Sequence, residues 1–432
     1  MQKHGLLMLT IILFSYNVYS QEENILSTNE KLYGLAKLWK ESSYNFAFFK
    51  QVPNMNWDSC FQSYIPLVEE TKSDWEYYLV LQKCFALLKD GHTKVLPPVV
   101  LRNKYYASAI TQIKTQLIQD KVIISEVLSD SLQLLGIQKG MEILAIDEEV
   151  HKYAEKYVFP CMTASTPQDL SYQTYGLFLL NGSIDTPVVV GIKDFNGITR
   201  NISIARKPWL REDDPFKGEP MSYKKLTNNI VYLRINMFTG DGFTKIFDSI
   251  YTNILKSDGL IIDVRNNFGG TTTNALYVLR HLTSNEFKEV SWTSPTHIAA
   301  YKSWGKKSEW FEKEGNDILP FTDKEIFTKP VNVIADESTF SGAEDFCANF
   351  VTMKRGKLIG RKTAGSTGNP LIVKLPSGGF AKICTKKDVF PDGKEFVGYG
   401  ITPDIEVDVT IADVKNDVDA ALNVAIKDLT GR

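Results

Sequence analysis

The sequence predicts a multidomain chain of α/β (α+β) class: an N-terminal helical bundle, a small β module and a layered α/β core. Three observations lead there. With 432 residues the chain has room for about three domains. Hydrophobic residues at 43% and charged residues at 23% are core-forming proportions and exclude a disordered chain. Apolar periodicity then changes twice along the chain, from helical spacing to short strands, and from those to strands alternating with helices. Lysine plus arginine at 49 against aspartate plus glutamate at 51 leaves a net charge of -2, which gives no electrostatic basis for binding nucleic acid or an anionic membrane.

Residues 1–20 carry a basic start (Lys3, His4), an apolar stretch from Gly5 to Phe14, and Val18 and Ser20 at the −3 and −1 positions before Gln21. That order is the pattern of a secretory signal peptide. The apolar stretch is shorter than the roughly 20 residues a spanning helix needs. The expectation is an exported protein, periplasmic or extracellular, with no membrane span in the mature chain. The cysteines Cys60, Cys84, Cys161, Cys347 and Cys384 are odd in number and widely scattered. They form neither a disulfide framework nor zinc-knuckle spacing, so no metal is expected. One bridge, Cys60 to Cys84, is open to them; buried thiols are expected for most.

Residues 21–103 form the N-terminal helical region. Glu30–Ser42, Trp57–Glu69 and Ser73–Leu88 repeat apolar residues every three or four positions, with breaks at Pro53–Asn54 and Lys72–Ser73. The region runs through Lys89–Asp90–Gly91–His92–Thr93, a turn before a short extended stretch. Residues 104–208 are strand-like: Lys121–Val127, then Val188–Asp194 and Ile198–Ala205 around the hairpin signal Asn196–Gly197. With the run Gly136–Ile137–Gln138–Lys139–Gly140–Met141–Glu142–Ile143–Leu144–Ala145–Ile146, this segment resembles a PDZ-like module. The resemblance implies binding of an extended peptide end as an added strand. Glu149–Asn181 is longer than that module needs and reads as an insertion. Residues 209–432 alternate strands (Ile230–Ile235, Leu260–Val264, Val331–Ala335) with helices (Thr272–Leu282, Gly342–Met353). Extended segments Leu371–Leu375 and Phe380–Cys384 and a terminal helix around Val414–Leu429 follow.

Two segments could carry chemistry. Asp336–Glu337–Ser338–Thr339–Phe340–Ser341–Gly342–Ala343–Glu344 follows a buried-type strand and opens a helix. Backbone N–H groups and the helix dipole there favour an attacking alkoxide and a developing oxyanion. The same residues, Ser341 and Glu344, also spell a capping box, and the spacing by itself favours capping. Asp263–Val264–Arg265–Asn266–Asn267–Phe268–Gly269–Gly270 places paired glycines directly after a strand, where N–H groups are free to donate. It lacks the spacing of a phosphate-binding loop.

In order along the chain, Asp90–Gly91–His92–Thr93, the PDZ-like module, Asp–x–Arg–x–Asn–x–Gly–Gly, Thr339–Phe340–Ser341–Gly342–Ala343–Glu344, Gly360–Arg361–Lys362–Thr363–Ala364–Gly365 and Gly400–Ile401–Thr402–Pro403–Asp404 resemble the S41 family of C-terminal processing and tricorn-type serine peptidases. The resemblance implies a ClpP/crotonase-like layered core, Ser341 as nucleophile, and an oxyanion hole from Gly342 and the Gly269–Gly270 turn. It implies no cofactor and a peptide or unfolded protein as substrate. The lysine base of the processing branch is replaced by Ser366, and Lys362 matches a solvated position. The tricorn-type branch uses an upstream histidine, which His92 fits; an imidazole with pKa near 6.5 suits proton transfer at neutral pH. His151, His281 and His297 match no motif. The third member is the departure. Gly91 stands where that branch has a serine, and Val397 where it has a glutamate. Glu395, on the same face of an expected strand, is the nearest carboxylate, with Asp404 or a hydroxyl as competitors.

The expected function is therefore an exported serine endopeptidase working through an acyl-enzyme. A catalytically impaired binder of peptides or hydrophobic ligands on the same scaffold is the alternative. An acyl-CoA enzyme, a third reading, is opposed by the export signal and the PDZ-like module.

Overall fold

The computed structural model describes residues 26–431 except 209–217, 241 and 308. The signal peptide expected at 1–20 and the boundary expected at 208/209 lie outside the described residues. Among the described residues no helix is long and apolar enough to cross a membrane.

Helices Thr28–Asn45, Trp57–Glu69 and Asp74–Ala86 start where polar side chains satisfy orphan N–H groups. Ser27 and Glu30 form a reciprocal capping box, Asn56 accepts from Ser59 N–H, and Ser73 accepts from Glu76 N–H. Their buried faces (Leu35, Leu38, Tyr77, Leu81, Phe85) join one apolar cluster with the C-terminal half of the chain.

That half is built on a sheet ordered Met221–Lys225, Ile230–Ile235, Gly259–Asp263, Val331–Ala335, Lys357–Gly360, Ile405–Glu406. The first pair is antiparallel and the rest are parallel. Alternate residues face opposite ways. Leu233, Leu260, Ile262 and Val333 pack with helices Phe243–Leu255, Thr272–Arg280 and Gly342–Met353, while Tyr232, Ile261, Ile334 and Ile359 pack with Ala421 and Ala425 of helix Ala420–Thr430. Burial on both faces explains why Gly259–Asp263 and Val331–Ala335 read as continuous apolar runs.

The PDZ-like module is an antiparallel sheet ordered Ile113–Ile118, Lys121–Val127, Glu142–Ile146, Val188–Lys193, Thr199–Ile204. It has its own core, in which Val150, Ala154, Tyr175 and Leu179 of the 149–181 stretch are members. A further antiparallel sheet, Lys94–Leu96 with Phe380–Cys384 and Pro370–Lys374, ties the turn bearing His92 to the C-terminal half.

The single terminal helix expected near 414–429 is two helices, Ile411–Lys415 and Ala420–Thr430. Asp417 takes a left-handed conformation at φ 56, and the Asp419 side chain accepts from Leu422 N–H, which starts the second helix afresh. All five cysteines are free thiols, and Cys60 and Cys84 lie with their sulfurs 4.0 Å apart.

Candidate active site

Ser341 is the last residue before helix Gly342–Met353 and has φ 58, ψ -129, a region that non-glycine residues seldom enter. A β-carbon carries strain there, and such strain gathers at functional sites. The capping-box reading of Ser341 and Glu344 does not hold: the Ser341 side chain makes no cap bond. Its Oγ lies 2.9 Å from Nε2 of His92, 249 positions earlier in the chain. The Glu344 carboxylate instead turns under the neighbouring loop. There it accepts from the Thr363 hydroxyl at 2.5 Å and from the N–H groups of Gly365 and Ser366, each at 2.7 Å. Burial pushes its pKa up to about 8 against these donors.

His92 is held by a tight turn. Thr93 hydroxyl donates to Asp90 Oδ2 at 2.6 Å and itself accepts from Cys384 N–H at 2.9 Å. Gly91 N–H donates to Ser165 Oγ, whose hydroxyl donates to Asp90 Oδ1. The imidazole stacks on Phe340, with centroids 4.4 Å apart and planes inclined by 11°. Its Nδ1 lies 2.8 Å from Ser366 Oγ. Burial, and then the positive charges of Lys94, Lys382 and Lys386, hold its pKa well below the ordinary histidine value. The ring is therefore neutral at pH 7, with one nitrogen free to accept.

Gly269 N–H donates to Asn267 Oδ1 at 2.8 Å, which leaves Gly270 as the free donor of the expected pair. Gly342, at the first helical position, has no intrahelical acceptor for its N–H. Among the described residues neither N–H has an acceptor. The two loops touch: a β-carbon on Gly269 (φ 99) would stand 2.6 Å from Gly342 N and 2.8 Å from Ser341 Cβ. Only glycine fits there.

Ser341, His92, Gly270 and Gly342 are thus brought together, and Glu395 is not among the partners of His92. The strand expected across 395–397 is a single bridge from Glu395 to Val389 followed by a turn, so the alternation that would aim both side chains one way is absent. Glu395 is 48% exposed and pairs with Lys387 at 2.5 Å, whereas Val397 is fully buried in the core. Asp404 accepts from Leu358 N–H at 2.8 Å, and Lys362 is exposed. His281 is buried against Tyr277 O, and His151 bonds Tyr175. No group of His, Cys, Asp or Glu among the described residues is arranged to hold a metal.

Sequence reading missed what secures the site. Ser366 was visible only as a missing lysine. From the 149–181 stretch, Thr166 hydroxyl donates to Ala364 O and Gln168 to Thr363 O, so this stretch clamps the loop that carries Ser366. Its signal, Thr166–Pro167–Gln168–Asp169, is a helix start; Thr166 accepts from Asp169 N–H.

Residues 229–407 match the model of peptidase family S41. The carboxy-terminal-processing protease of Bartonella bacilliformis is 25% identical over 255 residues, 56% of this chain and 52% of that protein. The carboxyl-terminal-processing protease of a Synechocystis species is 22% identical over 207 residues, 47% of this chain and 44% of that protein. The chain spans about half the length of the curated relatives it matches. Mature CPAF superposes with a TM-score of 0.69 at 14% identity, covering 93% of this chain and 96% of that one. A putative peptidase from Parabacteroides merdae superposes with a TM-score of 0.55 at 17% identity, covering 94% and 97%. These likenesses concern the fold. The chain thus shares the multidomain fold of these solved structures, and its residues 229–407 are similar to peptidase family S41.

Proposed function

We propose that this chain is an exported serine endopeptidase that cleaves peptide bonds through an acyl-enzyme. The observation that carries the proposal is the contact of Ser341 Oγ with His92 Nε2 at 2.9 Å, made by a serine held at φ 58. Ser341 hydroxyl donates to Nε2 and attacks the scissile carbonyl as the imidazole takes its proton. Nδ1–H donates to Ser366 Oγ, which fixes the tautomer and the ring plane. The oxyanion is received by Gly270 and Gly342 N–H; one such donor is worth about 10²–10³ in rate. The imidazolium then returns its proton to the leaving amine, and a water deprotonated by the same ring releases the acyl group.

A hydroxyl stabilises imidazolium less than a carboxylate does, and three lysines oppose that charge. We therefore assign slow turnover. Among the described residues Nδ1 meets a hydroxyl and not a carboxylate, which also favours the second reading, a binder with little activity.

The proposal includes a ClpP/crotonase-like core over 209–432, a helical region over 21–103, and a PDZ-like module over 104–208 that selects chain ends. Support for coupling between module and site comes from the Thr166 and Gln168 bonds to residues 363–364. The test is hydrolysis of an unfolded protein followed by mass spectrometry of the fragments. Cleavage that disappears in Ser341→Ala supports the peptidase. Cleavage that persists in that variant, or none by the unaltered chain, removes it.

A further inference from the structure

Two lysines that the reaction above does not use stand beside the imidazole. Lys94, two residues after His92, lies directly opposite Lys382 in the antiparallel pair of Lys94–Leu96 with Phe380–Cys384. Its Nζ is 5.9 Å from the centroid of Phe340, the ring on which His92 stacks. Residues directly opposite across such a ladder point to one face with β-carbons about 4.5–5.5 Å apart, and like charges there repel. Both side chains are partly buried. Lys386, the third cation bearing on His92, is paired with Asp388 at 2.7 Å. Lys94 and Lys382 have no such partner among the described residues. The nearby carboxylates are engaged elsewhere: Asp90 with Thr93 and Ser165, Asp169 with Gln173 and the Ser165 N–H. Burial lowers the pKa of both lysines, and for Lys94 the charge of Lys382 adds to it against the pull of Asp169 and Asp90.

Two half-buried ammonium groups on one face, neither in direct ion-pair contact with a carboxylate among the described residues, repel each other. A carboxylate placed between them relieves the repulsion and gains charge-assisted hydrogen bonds. We infer that Lys94 and Lys382 form a carboxylate-binding subsite at the edge of the Ser341–His92 centre, which selects peptides by an acidic group. That group is the side chain of Asp or Glu, or the α-carboxylate of a chain end. The inference rests on the peptidase reading for the nature of the ligand. It adds a consequence: a docked carboxylate cancels the field of two cations on His92 and eases formation of the imidazolium during attack. Acidic substrates then gain in kcat as well as in KM.

The experiment measures binding of hexapeptides to the full chain carrying Ser341→Ala, which holds substrate without turnover. One glutamate is placed at each position in turn, with glutamine as control, and each peptide is made with a free and an amidated C-terminus. The expected result is a position, or the chain end, at which the carboxylate tightens binding about tenfold. A side-chain effect and an amidation effect separate the two sources. Adding Lys94→Gln and Lys382→Gln abolishes the preference, the paired arginine substitutions keep it, and raising salt weakens it. Should the double variant lose cooperative unfolding, Lys382→Gln alone decides, with a preference cut at least threefold. Equal binding of glutamate and glutamine peptides, or a preference that survives loss of the lysines, overturns the inference. Hydrolysis by the unaltered chain is scored separately. Selective binding without cleavage keeps the subsite and removes the peptidase reading; cleavage of both peptides alike does the reverse.

Discussion

Ser366 serves both members of the candidate pair: its hydroxyl is 2.8 Å from His92 Nδ1, and its carbonyl accepts from Ser341 N–H at 3.0 Å. The side chain meets the proposed base while the backbone positions the proposed nucleophile. The two roles separate by mutation. Ser366→Ala keeps the backbone contacts and strips the acceptor from Nδ1–H, so kcat falls about 10- to 100-fold with KM little changed. Steady-state kinetics on a peptide substrate measure it; an unchanged kcat assigns Ser366 to structure alone.

Gly91 is closed to any side chain for a reason tied to the same contact. A β-carbon there would stand 2.9 Å from Ser366 Oγ, 3.0 Å from the Phe340 ring and 3.1 Å from Asp169 Oδ2. The hydroxyl relieves the clash by rotating away from His92. Gly91→Ala therefore lowers kcat about tenfold or more, for about 1–3 kcal/mol of stability. A variant with a lower Tm and full kcat would show that the turn yields elsewhere.

On the peptidase reading, the acid limb of activity is expected below the ordinary histidine range. The proposed base would work when neutral, and burial together with Lys94, Lys382 and Lys386 depresses the pKa of His92. Activity is thus kept as pH falls through about 6.5 and lost only at the lower, folded-state value. The unfolded chain binds the proton first, so stability begins to drop below about pH 6.5, before the base titrates. A pH profile of kcat/KM with its limb at or above the ordinary value contradicts this account of the site.

Cys60 and Cys84, on successive helices, have sulfurs 4.0 Å apart, and the contact lowers the pKa of Cys60. Cys347 and Cys384 are fully buried with raised pKa values. Mild oxidation of the folded chain joins Cys60 to Cys84 and spares the buried Cys347 and Cys384, stabilising by about 3 kcal/mol for a loop of this length. Peptide mapping and a thermal melt before and after oxidant check it; scrambled or absent bridging contradicts it.

Most elements with strong periodicity were legible. Val331–Ala335 and Gly342–Met353 occur where the apolar pattern places them, because each is buried against a layer that demands it. The pairing of His92 with Ser341 followed from motif order. Ser366, Thr166 and Gln168 stayed hidden because their partners lie roughly 200–270 positions away, and no local period records such contacts. Glu395 misled because alternation needs a strand, and only one bridge forms there. The capping box misled because φ 58 at Ser341 carries the side chain away from the helix it precedes.

Covalent labelling with a serine-directed phosphonate tests the central claim most directly. The expected result is a single adduct on Ser341, formed at least about 100-fold more slowly in His92→Ala. Labelling at the same rate without the imidazole, or no adduct on Ser341 in the folded chain, would contradict it.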